Sequence, residues 1–462
     1  MPDSEEMHMD RWRVVIQRGR SEVLVQAVPP ALALPEVRVP RNQRLAWHIN
    51  DQLRRSWGLD AVSLFPLDVA AGTAEAGAVR YHVAELLRPD RGLPDGIGWA
   101  DASSLDRETF AEPGDFDAVS AYVRAESESP MGSGPFGHAG WLREVVAWLQ
   151  KTIAPFGLEW RGGFEQFHAS RSFSLIRFDT TPRASWFKSV GEPNTREFPI
   201  TCELAKRIPE HLPRILASRS EWSAWLAEDC PGRTLDQVTD PALWRRAVRH
   251  LAELQSESLA WTNSLLPLGA FDLRMLLTPS AVEHFFELAR RIAEVAAERE
   301  AGGLSIQEFP AMQARMVGLL DQLSRLELPA ALGHLDFNGG NVIVSPERTV
   351  FLDWAEACVG PPFFALEYLL QTFRRSFGRS SAHEGPVIEA YLAPWESVIP
   401  LPNVRELWRI TPALAVFAYA QRCVLAAEPF GFGSSRFSSY LWALLRRLKR
   451  ELAPGTSMRG TA

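Results

Sequence analysis

Between His334 and Trp354 the chain reads HLDFNGGNVIVSPERTVFLDW, and three side chains in it carry oxygen at spacings that permit chemistry: Asp336, Asn341 and Asp353. Val342, Ile343 and Val344 make a short apolar strand, Ser345-Pro346-Glu347-Arg348 is turn chemistry, and Val350, Phe351 and Leu352 make a second strand. Reflecting this hairpin about Glu347 places Asn341 opposite Asp353, an amide and a carboxylate side by side at the open end. Hard divalent cations such as Mg²⁺ take oxygen ligands, a few from protein and the rest from phosphate and water. Asn341 and Asp353 are therefore the expected metal ligands. Asp336 precedes Asn341 across Gly339-Gly340, glycines that permit a sharp backbone path, and a carboxylate there can accept the proton of an attacking hydroxyl. His334 joins this catalytic group as a brace that holds the loop through hydrogen bonds. A lone Asp or Asn in a turn usually serves only turn geometry; several such residues at fixed spacing, followed by strand, turn and strand, favour the chemical reading.

Elements on both sides must position these groups. Arg11 to Gln26 alternates as a β-hairpin, a Pro-rich stretch follows, and Asn42 to Trp57 has a helical pattern closed by Gly58. VSLFPLDV and VRYHVAELL add strands, so residues 1–125 form a small α+β domain. Residues 126–140 (ESESPMGSGPFGHAG from Glu126) are dense in Ser, Gly and Pro and read as a linker. Trp141 to Ile153 is an amphipathic helix. FEQFHA, SFSLIRFD and ASWFKSVG are strands, Arg196 to Arg207 is helical, and a short strand pair lies around WSAWLAEDCPG. Residues 141–235 thus form a strand-rich lobe. Residues 236–454 form a larger helical lobe, interrupted only by the hairpin near residue 345. Aromatic residues late in this lobe, Trp408, Phe417, Tyr419 and Phe430, are expected to fill its core.

The pattern HxDxxxxN, a hairpin and then Asp-Trp resembles the aminoglycoside phosphotransferase-like branch of the kinase-like fold. The resemblance implies an α+β, bilobal protein-kinase-like fold, with a small β-rich lobe and a large helical lobe, here preceded by the small α+β domain. It implies ATP or GTP with Mg²⁺ as donor and a hydroxyl of a small molecule as acceptor. On this likeness Asp336 matches the catalytic aspartate, Asn341 the amide metal ligand and Asp353 the carboxylate metal ligand. Lys188, in SWFKSVG, falls where the family's nucleotide lysine would lie, with Glu197 at the start of the next helix as its partner in preference to Glu203. Glu228, Asp229 and Cys230, in WLAEDCPG, resemble the connector whose backbone meets the adenine edge, and His168 to Ser172 would be the turn over the phosphates. The chain departs from the family at Leu335, at Asn338-Gly339 and in GPPFFALEYLL, and its phosphate turn lacks glycine. The element order of residues 11 to about 125 faintly resembles a Nudix-like domain, but Arg55 and Ser56 stand where a working hydrolase has paired glutamates, so the resemblance implies a degenerate domain without that activity.

Bulk properties exclude several classes. A chain of 462 residues exceeds one core at ~100–200 residues per domain, and 49 basic against 56 acidic residues lack the basic excess of a nucleic-acid binder. The beginning, MPDSEEMHMD, has no apolar h-region, and the apolar run Thr411 to Ala427 is broken by Gln421 and Arg422. The expectation is a cytoplasmic protein that meets a nucleotide and a small hydroxylated substrate, with neither nucleic acid nor membrane as partner. Cys202, Cys230, Cys358 and Cys423 stand apart without metal-site spacing. A catalytically degenerate nucleotide- or partner-binding protein, and transfer of a group other than phosphoryl, remain open alternatives.

Overall fold

The computed structural model describes residues 9–19, 21–40, 43–67, 79–90, 92–128, 135–170, 172–295, 304–378, 381–427 and 435–453. The chain divides into two compact units, Met1–Phe198 with Arg214–Asp229, and Pro199–Pro213 with Cys230–Ala462.

The first unit holds two sheets. Strands β1 (Met9–Arg18), β2 (Glu22–Val28), β3 (Ala31–Ala33), β4 (Glu36–Pro40), β5 (Ala61–Leu67), β6 (Arg80–Leu86) and β7 (Ile97–Asp101) form one. Its order is β3-β2-β1-β6-β5, with β4 added to β1 and β7 to β2. Helix α1 (Leu45–Trp57) buries Ala46, Ile49 and Leu53, spaced three and four apart on one face. It ends at Gly58, left-handed at φ 65°, whose N–H donates to Arg54 O. Helix α2 (Pro113–Glu128) is tied down by the buried Asp115, which accepts from Arg13 Nη1 (2.8 Å), Leu34 N (2.9 Å) and Tyr81 Oη (3.2 Å). This helix runs into the beginning of the stretch expected as a linker; residues 129–134 of that stretch lie outside the described residues.

Helix α3 (Trp141–Ile153) leads to the second sheet of five strands: β8 (Glu159–Ala169), β9 (Phe173–Thr181), β10 (Ser185–Val190), β11 (Ile215–Arg219) and β12 (Ala224–Glu228). Their order is β11-β12-β10-β9-β8. One apolar cluster contains Val15, Val62 and Tyr122 together with Trp141, Phe187 and Leu226, so both sheets share a core. Helix α4 (Glu197–Arg207) starts in this unit and continues in the other.

The second unit is mainly helical: α5 (Pro241–Ser258), α6 (Leu273–Leu276), α7 (Pro279–Val295), α8 (Phe309–Arg325), α9 (Phe364–Phe377), α10 (Glu384–Leu392), α11 (Leu401–Ala427) and α12 (Ser435–Glu451). Its core includes Trp244, Phe285, Phe286, Phe363 and Leu414. Two small sheets sit among the helices. One joins β13 (Arg233–Thr234) to the hairpin β16 (Val342–Val344) and β17 (Thr349–Phe351). The other, β14 (Phe271–Asp272), β18 (Ala357–Gly360) and β15 (Ala331–His334), was not expected from sequence. Strands of two to four residues are too short to show a period-two signal. Among the described residues no helix is long and apolar enough to cross a membrane.

Candidate active site

Strand β15 delivers the chain to Asp336, and a 3₁₀ turn over Gly339–Asn341 returns it to β16. Asn338 closes that turn by accepting from Gly340 N at 2.9 Å. Gly339 does not have a positive φ; what it provides is close approach. A Cβ there would lie 2.7 Å from Thr372 Cγ2 and 2.8 Å from Asp236 N, and its N–H donates to Thr372 Oγ1 at 3.1 Å. The Asn341 amide donates through Nδ2 to Asp336 O at 3.0 Å. That commits its nitrogen and leaves Oδ1 as the donor atom a hard cation would want.

The hairpin register differs by one residue from the sequence expectation. Ser345 N donates to Arg348 O at 3.0 Å and Leu352 N to Asn341 O at 2.9 Å, and Val342 pairs with Phe351. Pro346 and Glu347 are thus the two central turn residues, and the reflection centre falls between them. Asn341 faces Leu352, and Asp353 follows as the next residue. Asp353 leaves the ladder in a left-handed conformation, φ 64° and ψ 57°, a strained choice for a non-glycine residue of the kind found at functional sites. The buried His334 secures it: its Nε2–H donates to Asp353 O at 2.7 Å, and Leu335 N donates to Glu356 O at 3.0 Å.

Asp336 opens to solvent on one side, yet its carboxyl is pushed up to about 6. Loss of hydration is the first cause and the like charge of Asp353 the second, with Glu356 adding to it. A carboxyl tuned to that value is ionised at neutral pH and is a stronger base than an ordinary aspartate.

In the first unit, Lys188 projects from β10 and Glu197 opens α4; Nζ and Oε1 are 2.6 Å apart, with the side chains 12% and 2% exposed. Phe173 and Trp225 flank the ammonium, their ring centroids 5.2 and 5.7 Å away. Glu203 instead pairs with Arg207 at 2.8 Å on its own helix. The connector is more committed than expected. Glu228 N donates to Arg214 O and Asp229 N to Ala184 O, both at 3.0 Å. The Glu228 carboxylate accepts from Arg183 and Arg214, and Asp229 accepts from Trp186 Nε1 at 2.5 Å. Those two N–H groups serve the sheet, so neither can also meet an adenine edge in this conformation. Cys230, partly buried, opens the next stretch of the second unit. In the turn before β9, Arg171 lies outside the described residues. Ser170 Oγ accepts from Ser172 N (3.2 Å) and Phe173 N (3.3 Å), so a hydroxyl closes the bend that lacks glycine.

Several residues around Asp336 escaped the sequence reading. Arg422 donates from Nε to Glu356 Oε2 at 2.8 Å, and a second, shorter bond joins the same two side chains. Tyr440 Oη donates to Tyr419 Oη at 2.8 Å. Burial raises the pKa of both tyrosines and of Cys423, and Asp336 acts on all three. Tyr419 and Trp408 pack against the core, as expected, and Phe417 is fully buried in it; Phe430 lies outside the described residues. A signal existed: Tyr419, Arg422 and Cys423 are spaced to share one face of α11.

Residues 191–401 match the model of APH, the phosphotransferase enzyme family. The match covers less than half of this chain and stands as a similarity to that family. A choline/ethanolamine kinase family protein from Mesorhizobium loti is 14% identical at TM-score 0.46, over 68% of this chain and 96% of its own. Choline kinase from Cryptosporidium parvum is 11% identical at 0.47, over 69% and 99%. The GDP complex of aminoglycoside 2′-phosphotransferase-IIIa is 13% identical at 0.44, over 66% and 98%. These likenesses are too distant to assign an acceptor. A search of the curated proteins found no match. The family match leaves residues 1–125 outside it, and nothing in the comparisons supports a Nudix-like assignment there.

Proposed function

We propose that this protein transfers the γ-phosphoryl group of ATP or GTP to a hydroxyl of a small molecule, in the cytoplasm. The observation that carries the proposal is the loop in which Asp336, tuned to about 6, interacts with the charge of Asp353, while the Asn341 amide nitrogen bonds Asp336 O and leaves Oδ1 for a ligand. Asp336 would hold the acceptor hydroxyl and take its proton as the oxygen attacks phosphorus and the bond to the β-phosphate oxygen breaks. Mg²⁺, held by Asn341 Oδ1 and the Asp353 carboxylate with phosphate and water completing its shell, would supply charge neutralisation. The donor set fits such an ion: an amide oxygen and a carboxylate are hard oxygen ligands. Lys188, fixed by Glu197, would offer its ammonium to the nucleotide phosphates. The connector Glu228–Cys230 would meet the base through its carbonyls and Cys230.

The test is the melting temperature of the purified chain with ATP or GTP, with and without Mg²⁺, beside Asp353→Ala. Ligand at a hundred times its dissociation constant stabilises by about 2.7 kcal/mol. A Mg²⁺-dependent rise that the variant loses is the expected result. An equal rise in the variant would remove Asp353 as a metal ligand, and no rise with either nucleotide would overturn the proposal.

A further inference from the structure

Strand β5 is the edge of the first sheet and β8 the edge of the second. Sheet edges present unpaired backbone groups that must be capped or covered. Here the cap is one side chain. Gln166 on β8 accepts from Ser63 N at 2.9 Å and donates to Ser63 O at 2.8 Å, as a neighbouring peptide would. Its Oε1 also accepts from Asn50 Nδ2 at 2.9 Å, and Asn50 Oδ1 accepts from Ser63 Oγ at 3.0 Å. All three residues are buried: Gln166 is 2% exposed, Asn50 6% and Ser63 0%. Among these atoms each donor finds an acceptor, the condition under which a buried polar network rigidifies its surroundings.

Both strands are irregular at this contact. The β5–β6 register shifts between Ser63 and Phe65, and the β8–β9 register shifts between Gln166 and His168. Bulges re-aim the side chains that follow them. On β8 the buried positions change from Phe164 and Gln166 to Ala169, a switch of parity. Arg44, just before α1, lies 5.0 Å from the ring centroid of Phe167, the extra residue of the bulge. Beyond it His168 stacks on Phe173 at 3.7 Å and 5°. Phe173 in turn lies against the Lys188 ammonium.

We propose that Gln166 is a positioning residue for nucleotide binding: clamped by Ser63 and Asn50, it fixes the bulge that orients the β8–β9 turn and, through His168 and Phe173, Lys188. This rests on the assignment of Lys188 to the nucleotide phosphates. The region before residue 126 is then a working part of the nucleotide-binding unit, because it supplies Ser63 and Asn50.

The experiment compares wild type, Gln166→Leu, Asn50→Ala and Val37→Ala as full chains. Val37 is buried in the same unit but takes no part in the clamp. Calorimetry gives the Mg-ATP dissociation constant, melting gives the stability loss, and hydrogen exchange reads the peptide that spans residues 168–173. Gln166→Leu is expected to weaken Mg-ATP about tenfold and Asn50→Ala roughly threefold. Both should speed exchange in that peptide, whereas Val37→Ala, whatever its melting loss, should do neither. If Gln166→Leu fails to fold, Asn50→Ala decides alone. Wild-type affinity and wild-type exchange in a folded clamp variant would overturn the positioning role. If wild type binds no nucleotide, the functional proposal falls by itself, and exchange still decides the clamp: unchanged protection in the variants overturns it, faster exchange supports it.

Discussion

Lys188 and Glu197 in the first unit and Asp336 and Asp353 in the second are both interacting pairs of ionisable side chains, yet they are built in opposite senses. The first joins unlike charges at 2.6 Å, nearly excluded from water, so each charge is compensated before any ligand arrives. In the second, loss of hydration first and the like charge of Asp353 second raise the pKa of Asp336, which stays exposed. A satisfied pair rigidifies; a repelling pair stores unfavourable energy that a cation or a proton releases. Loss of one partner should therefore cost stability at the first pair and relieve it at the second, while both losses impair function.

The largest effect separates the two pairs through chemistry. Asp336→Asn removes the proton acceptor but no phosphate ligand, so transfer should fall by roughly 10²–10⁴ with nucleotide affinity little changed, as turnover and calorimetry would report. Wild-type turnover would remove Asp336 from the mechanism. Next comes Glu197→Ala, which leaves a largely buried ammonium without its carboxylate. Chemical denaturation should show a loss of about 3 kcal/mol, and Mg-ATP binding should weaken as Lys188 is released. A loss no greater than that of an exposed ion pair would erase the contrast between the regions.

A smaller effect concerns pH. The folded-state pKa of Asp336, about 6, exceeds its ordinary 3.8, so folding favours the protonated form. Stability from that proton is complete below about pH 4 and is lost as pH rises through about 6. Asp336→Asn should then melt above wild type by roughly 1–3 °C at neutral pH, discounted for the solvent-facing side, and the difference should vanish near pH 4. Transfer by wild type should decline as pH falls through 6. A bound cation at Asp353 would move that limb lower by cancelling part of the repulsion. If the variant melted below wild type at neutral pH, the like-charge account of this pair would fail.

What could be read from sequence was whatever lay close along the chain. Asp336, Asn341 and Asp353 belong to one loop and hairpin that local turn and strand signals mark; Lys188 and Glu197, nine residues apart, lie on a strand and a helix start that local signals mark, but the pair itself was picked out by the family resemblance. The hairpin register was missed by one residue because Pro346 and Glu347 together, not Glu347 alone, form its centre. Contacts between distant residues left no local trace. Arg422 and Glu356 are 66 positions apart, and Gln166 and Ser63 are 103 apart. Arg422 had been informative only as a charge interrupting an apolar run. In the connector, sequence could mark the segment but not that the Glu228 and Asp229 N–H groups are already committed.

The most direct test of phosphoryl transfer is the mass of the product. The chain would be incubated with Mg-ATP or Mg-GTP and a panel of hydroxylated small molecules, with Asp336→Asn in parallel. The account predicts an acceptor heavier by one phosphoryl group, formed with the matching nucleoside diphosphate by wild type and not by the variant. An acceptor carrying the nucleotidyl group, or the same phosphorylated product from Asp336→Asn, would contradict it.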